Sequence, residues 1–570
     1  RYVPNFSSPP MGNGGFSYYS IRGQSNYTQY TRSVGIYIDD VPVGAGHNLT
    51  NNLIFDLERV EVLRGAVGNL YGLNSAGGVV NIITKKPGNT WTAKASADLG
   101  DYETQRYIAA ASGPVVEDKL FFGVSGLYHR QDKGYFDNGI NQPDTMDAMA
   151  GRTHIRWTPT DDLDIIFSAS AESQRNGQRG WILKDSDPYD IPVSKTDDEH
   201  NDIDINIQSL RIKKKTPWFE ITSVSARESN KLDSLFALDL TGMGLWDRDY
   251  NESGTNFSQE LRFSSIDSAN PFQWLVGGFY FYGDNTFELT DAYDGYLFGY
   301  TPQPGLMKIF DSYHTTLDTR TYAAFGQISY TFFNKLTLTA GLRYDRDDKE
   351  MDCNHVGVTR YQASETWEAL SPKFVLNYQW NPSLMTYVSA SKGYKAGGYA
   401  PILFDSAEQA KFDPEYVWSY EAGIKTQWLD RRLIVNASVF YNQAQDLQVL
   451  RVNQSTYQYD YRNAAEATIW GVELEMLARP LRGMDLMASV GLLNAKFDEN
   501  ISAETGQDFS GNHVPLAPKY TANLTVRHQF SWGLYLRGDA SFTGETYYDE
   551  ENAHKQPAYW LLNGKIGYET

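Results

Sequence analysis

The stretch FFNKLTLTAGLRYD, Phe332–Asp345, carries the pattern that decides the fold. Apolar side chains occupy every second position from Leu336 to Tyr344, the positions between them hold threonine, glycine and arginine, and Asp345 continues this polar series. This alternation predicts a β-strand with one apolar face and one polar face. Segments of roughly ten such residues recur about 20 times after Trp91. They suit either a soluble sandwich or a membrane barrel with a wet interior.

The links between the segments decide between these two folds. Short links are predicted at 158–162, 213–218, 332–335, 381–383 and 429–432. Long links are predicted at roughly 173–203, 228–256, 283–319, 345–367, 393–416, 446–467, 496–519 and 545–558. Short turns at one end and long loops at the other are typical of an outer-membrane barrel. The sequence therefore predicts an all-β transmembrane barrel of antiparallel strands.

Large aromatic side chains lie beside the short links. They are Trp157, Trp218, Phe332, Phe333, Trp380, Trp428 and Trp532. Aromatic rings gather where lipid tails meet headgroups, because the ring is apolar and its edge is polar. Aromatic residues make up 14% of the chain, so chance placement is the alternative. Their concentration on one class of link favours an interfacial girdle.

Composition argues against several other classes of protein. No run of about 18 apolar residues occurs, so no transmembrane helix is predicted. The net charge of −20 argues against a general nucleic-acid binder. The single cysteine, Cys353, cannot form an intramolecular disulfide. We expect it to be a free, exposed thiol within a long loop.

Residues 1–90 do not follow the barrel pattern. The stretch from Asp56 to Pro87, DLERVEVLRGAVGNLYGLNSAGGVVNIITKKP, places five glycines between two strand-like runs. No Gly-Lys-Ser/Thr follows these glycines, so a phosphate-binding loop is not indicated. A barrel of about 20 or more strands encloses a lumen wide enough to hold a plug. The first 90 residues are the candidate for that plug.

Several motifs in both regions resemble those of TonB-dependent outer-membrane receptors, particularly ferric-siderophore receptors. In the first region they are YSIRG (19–23), VGIYIDDVPV (34–43) and LERVEVLRGAVGNLYGLNSAGGVVNIITKKP (57–87); in the second they are LSPKFVLNY (370–378), YVSASKGYKAGGY (387–399), FDPEYVWSYEAGIK (412–425), GVELE (471–475) and GNHVPLAPKY (511–520). The resemblance implies a barrel of about 22 strands, of which about 20 are expected here, around an N-terminal α/β plug. We expect a plug at 1–88, incomplete at its N-terminus, and a barrel at 89–570, incomplete at its C-terminus.

The resemblance also implies contacts between plug and barrel. Arg22 of IRG and Arg64 of VLRG match plug arginines that face barrel glutamates, here Glu421 and Glu473. In a confined lumen, guanidinium and carboxylate groups form charge-assisted, often bidentate hydrogen bonds. The alternative is four unrelated, solvated charges. We expect the pairs to set the position of the plug and to be released when the plug is remodelled.

The ligand-binding residues are less sharply defined. We expect them at the outward tips of the plug and on the long loops facing those tips. The candidates are Met11, Asn13, Phe16, Tyr27, Gln29, Tyr30, Arg32, His47, Trp181, Trp246, Tyr296, Tyr300 and Tyr399. Aromatic walls with a few polar groups suit a planar chelate, although ordinary loop composition is the alternative.

Nothing in the sequence indicates catalysis, a metal site or a bound cofactor, because the histidines are scattered singly. The expected function is therefore that of an energy-coupled receptor, not an enzyme, that imports a ferric-siderophore-like chelate. Other cargoes remain open, including cobalamin, haem and an oligosaccharide, as does a passive porin or adhesin. The resemblance implies a monomer in the outer membrane of a Gram-negative bacterium, in contact with lipid and with the inner-membrane TonB complex. No nucleic-acid partner is expected.

Overall fold

A computed structural model gives the fold of the chain. It describes residues 3–8, 10–11, 16–17, 19–25, 32–43, 53–72, 74–133, 145–177, 199–238, 244–267, 269–305, 307–404, 406–452, 459–501 and 506–569. Short strands come first, namely β1 (Phe6–Ser7), β2 (Pro10–Met11), β3 (Phe16–Ser17), β4 (Ser20–Ile21), β5 (Gln24–Ser25), β6 (Val34–Ile38), β7 (Val41–Pro42), β8 (Leu57–Arg64) and β9 (Gly78–Thr84), with the one-turn helix α1 (Gly68–Tyr71) between β8 and β9. The strands of this N-terminal region form small sheets, the largest with the order β7-β6-β9-β8.

The strands in the rest of the structure are mostly longer. In chain order they are β10 (Thr92–Gly100), β11 (Thr104–Val116), β12 (Leu120–Gln131), β13 (Met146–Thr160), β14 (Leu163–Asn176), β15 (His200–Lys215), β16 (Phe219–Ala237), β17 (Trp246–Ser265), β18 (Phe272–Asp294), β19 (Lys308–Phe332), β20 (Leu336–His355), β21 (Thr359–Asn381), β22 (Leu384–Lys395), β23 (Gly398–Tyr399), β24 (Lys411–Phe412), β25 (Glu415–Trp428), β26 (Leu433–Val452), β27 (Tyr459–Ala478), β28 (Met484–Asn500), β29 (Tyr520–Gln529), β30 (Leu534–Thr543), β31 (Thr546–Tyr547), β32 (Lys555–Gln556) and β33 (Tyr559–Tyr568). A 3-10 helix (Gly295–Phe298) follows β18, and helix α2 (Ala407–Ala410) precedes β24. Twenty of these strands form one antiparallel sheet in sequence order; β23, β24, β31 and β32 lie outside it.

The two faces of the large sheet have the polarity expected of a membrane barrel. On β20, Leu342 is 48% exposed, whereas the neighbouring Arg343 is 1% exposed and Asp345 is fully buried. The apolar side chains therefore face outward and the charged ones inward, the reverse of a soluble sandwich. This arrangement confirms the predicted barrel class.

The N-terminal region lies inside this sheet. Its residues contact strands from β13 to β29, so the sheet must curve around it. The contacts include Arg152 with the carbonyls of Leu53 and Phe55, Asn69 with Gln327, Ser391 with the carbonyl of Ala66, and the Asn5 amide with Thr521. Within the described residues, β10 and β33 each pair with one neighbour only. The plug-in-barrel prediction is confirmed.

The short turns lie where the alternation of the sequence predicts them. For example, β19 ends at Phe332 and β20 begins at Leu336, and β25 ends at Trp428 and β26 begins at Leu433. All seven aromatic residues of the predicted girdle are exposed beside such turns. Their exposure is what an interface with lipid headgroups requires.

Several predicted long loops are instead paired strands. The segment 345–367 is almost entirely strand, because β20 continues to His355 and β21 begins again at Thr359. The segments 228–256 and 283–319 are likewise mostly strand. Paired strands satisfy their backbone hydrogen bonds in water as well as in lipid. A hairpin can therefore continue beyond the membrane, where its sequence no longer needs to alternate apolar and polar residues. The prediction of loops at these positions was wrong.

Cys353 also differs from its prediction as an exposed loop thiol. It lies in β20 and is completely buried in the apolar core that the plug shares with the barrel wall. Free cysteine packs as a small apolar residue, which explains the position. Among the described residues, none of the helices has both the length and the apolar character needed to cross a bilayer.

Candidate functional site

Arg22 is the centre of the contact between plug and barrel. It follows β4 with a φ of 52°, and its side chain is 1% exposed. Its Nε and Nη2 donate to the two oxygens of Glu473 at 2.9 and 2.7 Å, and its Nη1 donates to Glu421 Oε2 at 2.6 Å. The guanidinium also lies 4.2 Å from the ring centre of Phe440. One plug arginine thus bridges strands β25 and β27.

Charge pairing keeps this buried arginine ionised. Burial alone would lower the pKa of Arg22, but its hydrogen bonds and charge contacts with Glu473 and Glu421 outweigh burial and raise the pKa above its usual value. The main chain is held as well, because the Arg22 amide donates to the carbonyl of Asn5 at 2.8 Å. Asn5 Nδ2 in turn donates to Glu473 Oε1 at 3.1 Å.

Arg64, at the end of β8, joins the same cluster. Its Nη1 lies 3.0 Å from Glu473 Oε2 without the alignment of a hydrogen bond, so this contact is an ion pair only. Its Nη2 lies 3.0 Å from Glu475 Oε1. The structure therefore brings Arg22, Arg64, Glu421 and Glu473 together in one cluster.

Sequence reasoning missed three members of this cluster. Glu475 lies two residues after Glu473 on the same face of β27, and that spacing was a usable signal. Tyr387 donates its hydroxyl hydrogen to Glu421 Oε1 across paired strands β22 and β25. Neither Tyr387 nor Asn5 has a local sequence signal, because each reaches the cluster only through the tertiary fold.

A second set of ionic contacts holds the turn between β6 and β7. Asp40 Oδ2 lies 3.3 Å from Arg262 Nη2 of β17 and 3.8 Å from Arg211 Nη1 of β15. Here the plug supplies the carboxylate and the barrel supplies the cations, the reverse of the Arg22 cluster. The preceding Asp39 pairs with Lys86 and accepts the amide hydrogen of Thr84 at 3.0 Å.

The environment of Asp39 favours its charged form. Burial alone would raise its pKa, but the Lys86 ammonium and the hydrogen bonds from Lys86 and Thr84 outweigh burial and lower the pKa below its usual value. Asp39 has a φ of 53°, in the left-handed region that aspartate tolerates in turns. The turn thus ties β6 to the segment that leaves β9.

Arg343 anchors the plug at a third position. It is 1% exposed, pairs with Asp345 at 2.9 Å and donates to the carbonyl of Leu70 in α1 at 3.2 Å. Gly72, with a φ of 72°, passes so close that an added Cβ would lie 2.5 Å from the guanidinium. Only glycine suits this position, which explains one glycine of the stretch after β8.

Two ligand candidates, Arg32 and Tyr399, line one cavity of about 170 Å³ between plug and barrel wall. Phe279, Phe281 and Phe287 of β18 form part of its wall. Burial lowers the pKa of Arg32, and nearby Tyr19, Glu228 and Glu252 oppose this shift only in part. The cavity is smaller than the roughly 300–1,000 Å³ of small-molecule pockets, so in this state it can hold only part of a siderophore-sized ligand.

The other ligand candidates are not brought together. Trp246 contacts Tyr293, with ring centres 5.2 Å apart, and Tyr296 and Tyr300 are exposed in the loop after β18. Met11 and Phe16 are backbone partners on β2 and β3. The remaining candidates lie outside the described residues: Asn13, Tyr27, Gln29, Tyr30, His47 and Trp181. In the described part of the chain, no group of three or more His, Cys, Asp or Glu side chains is arranged to hold a metal ion.

Comparison with known proteins agrees with this architecture. Residues 171–570 match the family model described as TonB dependent receptor-like, beta-barrel, and residues 1–79 match the TonB-dependent Receptor Plug Domain. The pesticin receptor of Yersinia pestis is 25% identical over 604 residues, covering all of this chain and 82% of the relative. The ferrioxamine receptor of Yersinia enterocolitica is 23% identical over 551 residues, covering 92% of this chain and 74% of the relative.

Solved structures share the fold. The ferric yersiniabactin uptake receptor FyuA from Yersinia pestis superimposes with a TM-score of 0.85 at 23% identity, covering all of this chain and 86% of that one. The siderophore receptor PiuA from Acinetobacter baumannii gives a TM-score of 0.82 at 18% identity, covering 99% of this chain and 86% of that one. At these identities the structural likeness shows the fold alone.

Proposed function

The chain belongs to the family of TonB-dependent receptors, and we propose that it imports a ferric-siderophore-like chelate across the outer membrane by energy-coupled remodelling of its plug. In this proposal residues 1–88 are the plug and residues 89–570 the barrel. The last strand of the small sheets before this boundary, β9, ends at Thr84, and β10 begins at Thr92, which supports a division between them.

The single observation that carries the proposal is the Arg22 cluster. A plug that only filled the lumen could be held by apolar packing, which would be at least as stabilising as buried ion pairs. Buried ion pairs cost free energy to desolvate, and their attraction weakens when water enters or the plug is pulled. The cluster therefore suits a plug that is released, as a receptor requires and a passive porin does not.

Relatives and local chemistry support a chelate as cargo. The relatives' names include a ferrioxamine receptor and a ferrichrome transporter, and FyuA takes up ferric yersiniabactin. In this chain, Arg32 and the phenylalanines of β18 place a cation beside aromatic surface in one cavity. That combination suits the anionic oxygens and flat rings of an iron chelate.

Affinity measurement against a panel of ligands tests the proposal. The panel holds iron-loaded and iron-free siderophores of several chemical types, with cobalamin, haem and an oligosaccharide as competing cargo classes. The proposal predicts that at least one iron-loaded chelate binds more tightly than its iron-free form and than every non-chelate. Preferential binding of cobalamin, haem or the oligosaccharide would reject the iron chelate as cargo.

The same assay tests the ligand residues predicted at the plug tips. Replacing Tyr27, Tyr30 or His47 with alanine should weaken chelate binding in detergent. Phe333→Ala, at an exposed short turn on the opposite end of the barrel, serves as the control and should leave the affinity unchanged. Equal affinity in all four variants would remove these three residues from the binding site.

A further inference from the structure

A second cavity, of about 400 Å³, separates β8 of the plug from the barrel wall formed by β21, β22, β25, β26 and β27. We call it the flank cavity. Its lining extends from the Arg22 cluster to Met385, which is the second residue of β22 after a short turn. Short turns of outer-membrane barrels face the periplasm, so the cavity lies at the end of the barrel where cargo leaves.

Small polar residues create this space. Ser389 and Ser391 of β22, Ser419 of β25 and Ser438 of β26 come from three adjacent strands and line the barrel side of the cavity. Elsewhere the plug packs tightly on the same wall, since an added Cβ on Gly68 would lie 2.9 Å from Ser371 Oγ. A gap lined by hydroxyl groups is one that water and polar solutes can fill.

The charges that line the flank cavity do not balance. Four cationic side chains line it, namely Arg22, Arg64, Lys373 and Lys425, against three carboxylates, namely Glu421, Glu473 and Glu475, which leaves a net charge of +1. The two arginines already pair with all three carboxylates. The two lysines are therefore the cations available to a solute.

Lys373 is the better placed of the two lysines. It is half-buried on β21, and it forms no hydrogen bond or ion pair within the described part of the protein. Lys425 is more exposed and lies over the ring of Tyr387, 5.6 Å from its centre. An ammonium in a confined, partly desolvated space attracts anions more strongly than one in open water.

We propose that the flank cavity is an exit vestibule for anionic cargo, in which Lys373 attracts carboxylate, phenolate or hydroxamate oxygens as the chelate leaves the lumen. This inference rests on the proposed function but adds a site away from the plug tips. A lysine is suited to the task because its point charge accepts oxygens from many directions, whereas an arginine fork holds a fixed geometry.

A cysteine reporter tests the electrostatic claim without any cargo. The chain has one native cysteine, Cys353, which is fully buried, so Ser389→Cys places a single accessible thiol in the cavity. Its reaction rates are measured in the purified protein with an anionic and a cationic methanethiosulfonate of similar size. The ratio of the two rates reports the local potential. We expect this ratio to exceed that of a free thiol in solution.

Lys373→Gln should lower the ratio of anionic to cationic rates by about tenfold, because one nearby charge acts in opposite directions on the two reagents. Lys373→Arg should restore most of the ratio. The matched control is Lys392→Gln on β22, next to Ser391, whose ammonium lies 4.1 Å from the ring centre of Tyr416 and does not line the cavity. The control should change the ratio by less than about twofold.

Two results would overturn the proposal. A reporter that reacts with neither reagent would show that the cavity is closed to solutes. An unchanged ratio in Lys373→Gln would show that Lys373 does not set the potential of the cavity, which removes the charge on which the proposal rests. Because the assay uses no chelate, its failure is distinct from failure of the ligand panel.

Discussion

Glu473→Gln is the substitution that most directly loosens the plug. Glu473 is 2% exposed and accepts hydrogen bonds from Arg22, Asn5 and Ser438 while pairing with Arg64. Glutamine keeps the volume and one acceptor but loses the charge. Removing one partner of a buried ion pair typically costs about 3–5 kcal/mol. Because Arg22 keeps its contact with Glu421, we expect about 2–3 kcal/mol here.

Glu475→Gln is the matched control. It lies two residues along the same strand, but its side chain is 34% exposed, and among the described residues its ion pair is with Arg64. Exposed pairs contribute less than about 1 kcal/mol, so this variant should change little. The two variants alter the same charge on the same face of β27 and differ in burial.

Hydrogen exchange of plug amides in detergent measures the difference. A loss of 2–3 kcal/mol raises the open population of the plug by roughly 30- to 140-fold. The faster exchange should appear in β4, β5 and β8, and Glu475→Gln should accelerate it by less than about fivefold. Equal protection in Glu473→Gln and the parent, or an equal effect of both variants, would refute the view that buried charge holds the plug.

Three further outcomes are expected. Gly72→Ala should lower the free energy of unfolding, measured by calorimetry, by about 1–3 kcal/mol more than Gly357→Ala does. Both glycines have a positive φ, but of the two only Gly72 lies against a guanidinium, so equal losses would contradict this explanation. Because folding lowers the pKa of Asp39, its charge contributes fully to the stability of the plug above about pH 4. This contribution is lost as the pH falls through the pKa of Asp39 in the folded protein. Asp39→Asn should therefore destabilise the plug at pH 7 but not below the folded pKa, and melting at several pH values checks this. Arg32→Gln should weaken the chelate selected by the panel by about tenfold and Arg32→Lys by less, whereas unchanged affinity would place the ligand elsewhere.

The barrel could be predicted from the sequence because its signal is local. Alternation in LTLTAGLRYD requires only neighbouring residues, and the structure places Leu342 outside and Arg343 inside. The extent of the strands could not be predicted, since β20 and β21 continue as a hairpin through a stretch without apolar alternation. Cys353 was misplaced for the same reason.

For the candidate site, too, the residues within local motifs could be predicted, and the contacts that depend on the tertiary fold could not. Each of the four charged residues of the cluster lies in a motif that sequence comparison can match, namely Arg22, Arg64, Glu421 and Glu473. In the structure Arg22 pairs with both glutamates, and Arg64 pairs with Glu473. Contacts that depend on which strands face each other had no such signal. The pairing of Asp40 with Arg262 is one of these, because nothing in the sequence relates the plug turn to β17.

Iron uptake with and without an energised inner membrane tests the central claim most directly. Cells expressing the full-length protein receive radioactive iron as the chelate that binds most tightly in the panel, and surface binding and accumulation are counted separately. The account predicts that an uncoupler abolishes accumulation and leaves surface binding intact. Accumulation that continues unchanged in uncoupled cells would show a passive pore and would contradict an energy-coupled receptor.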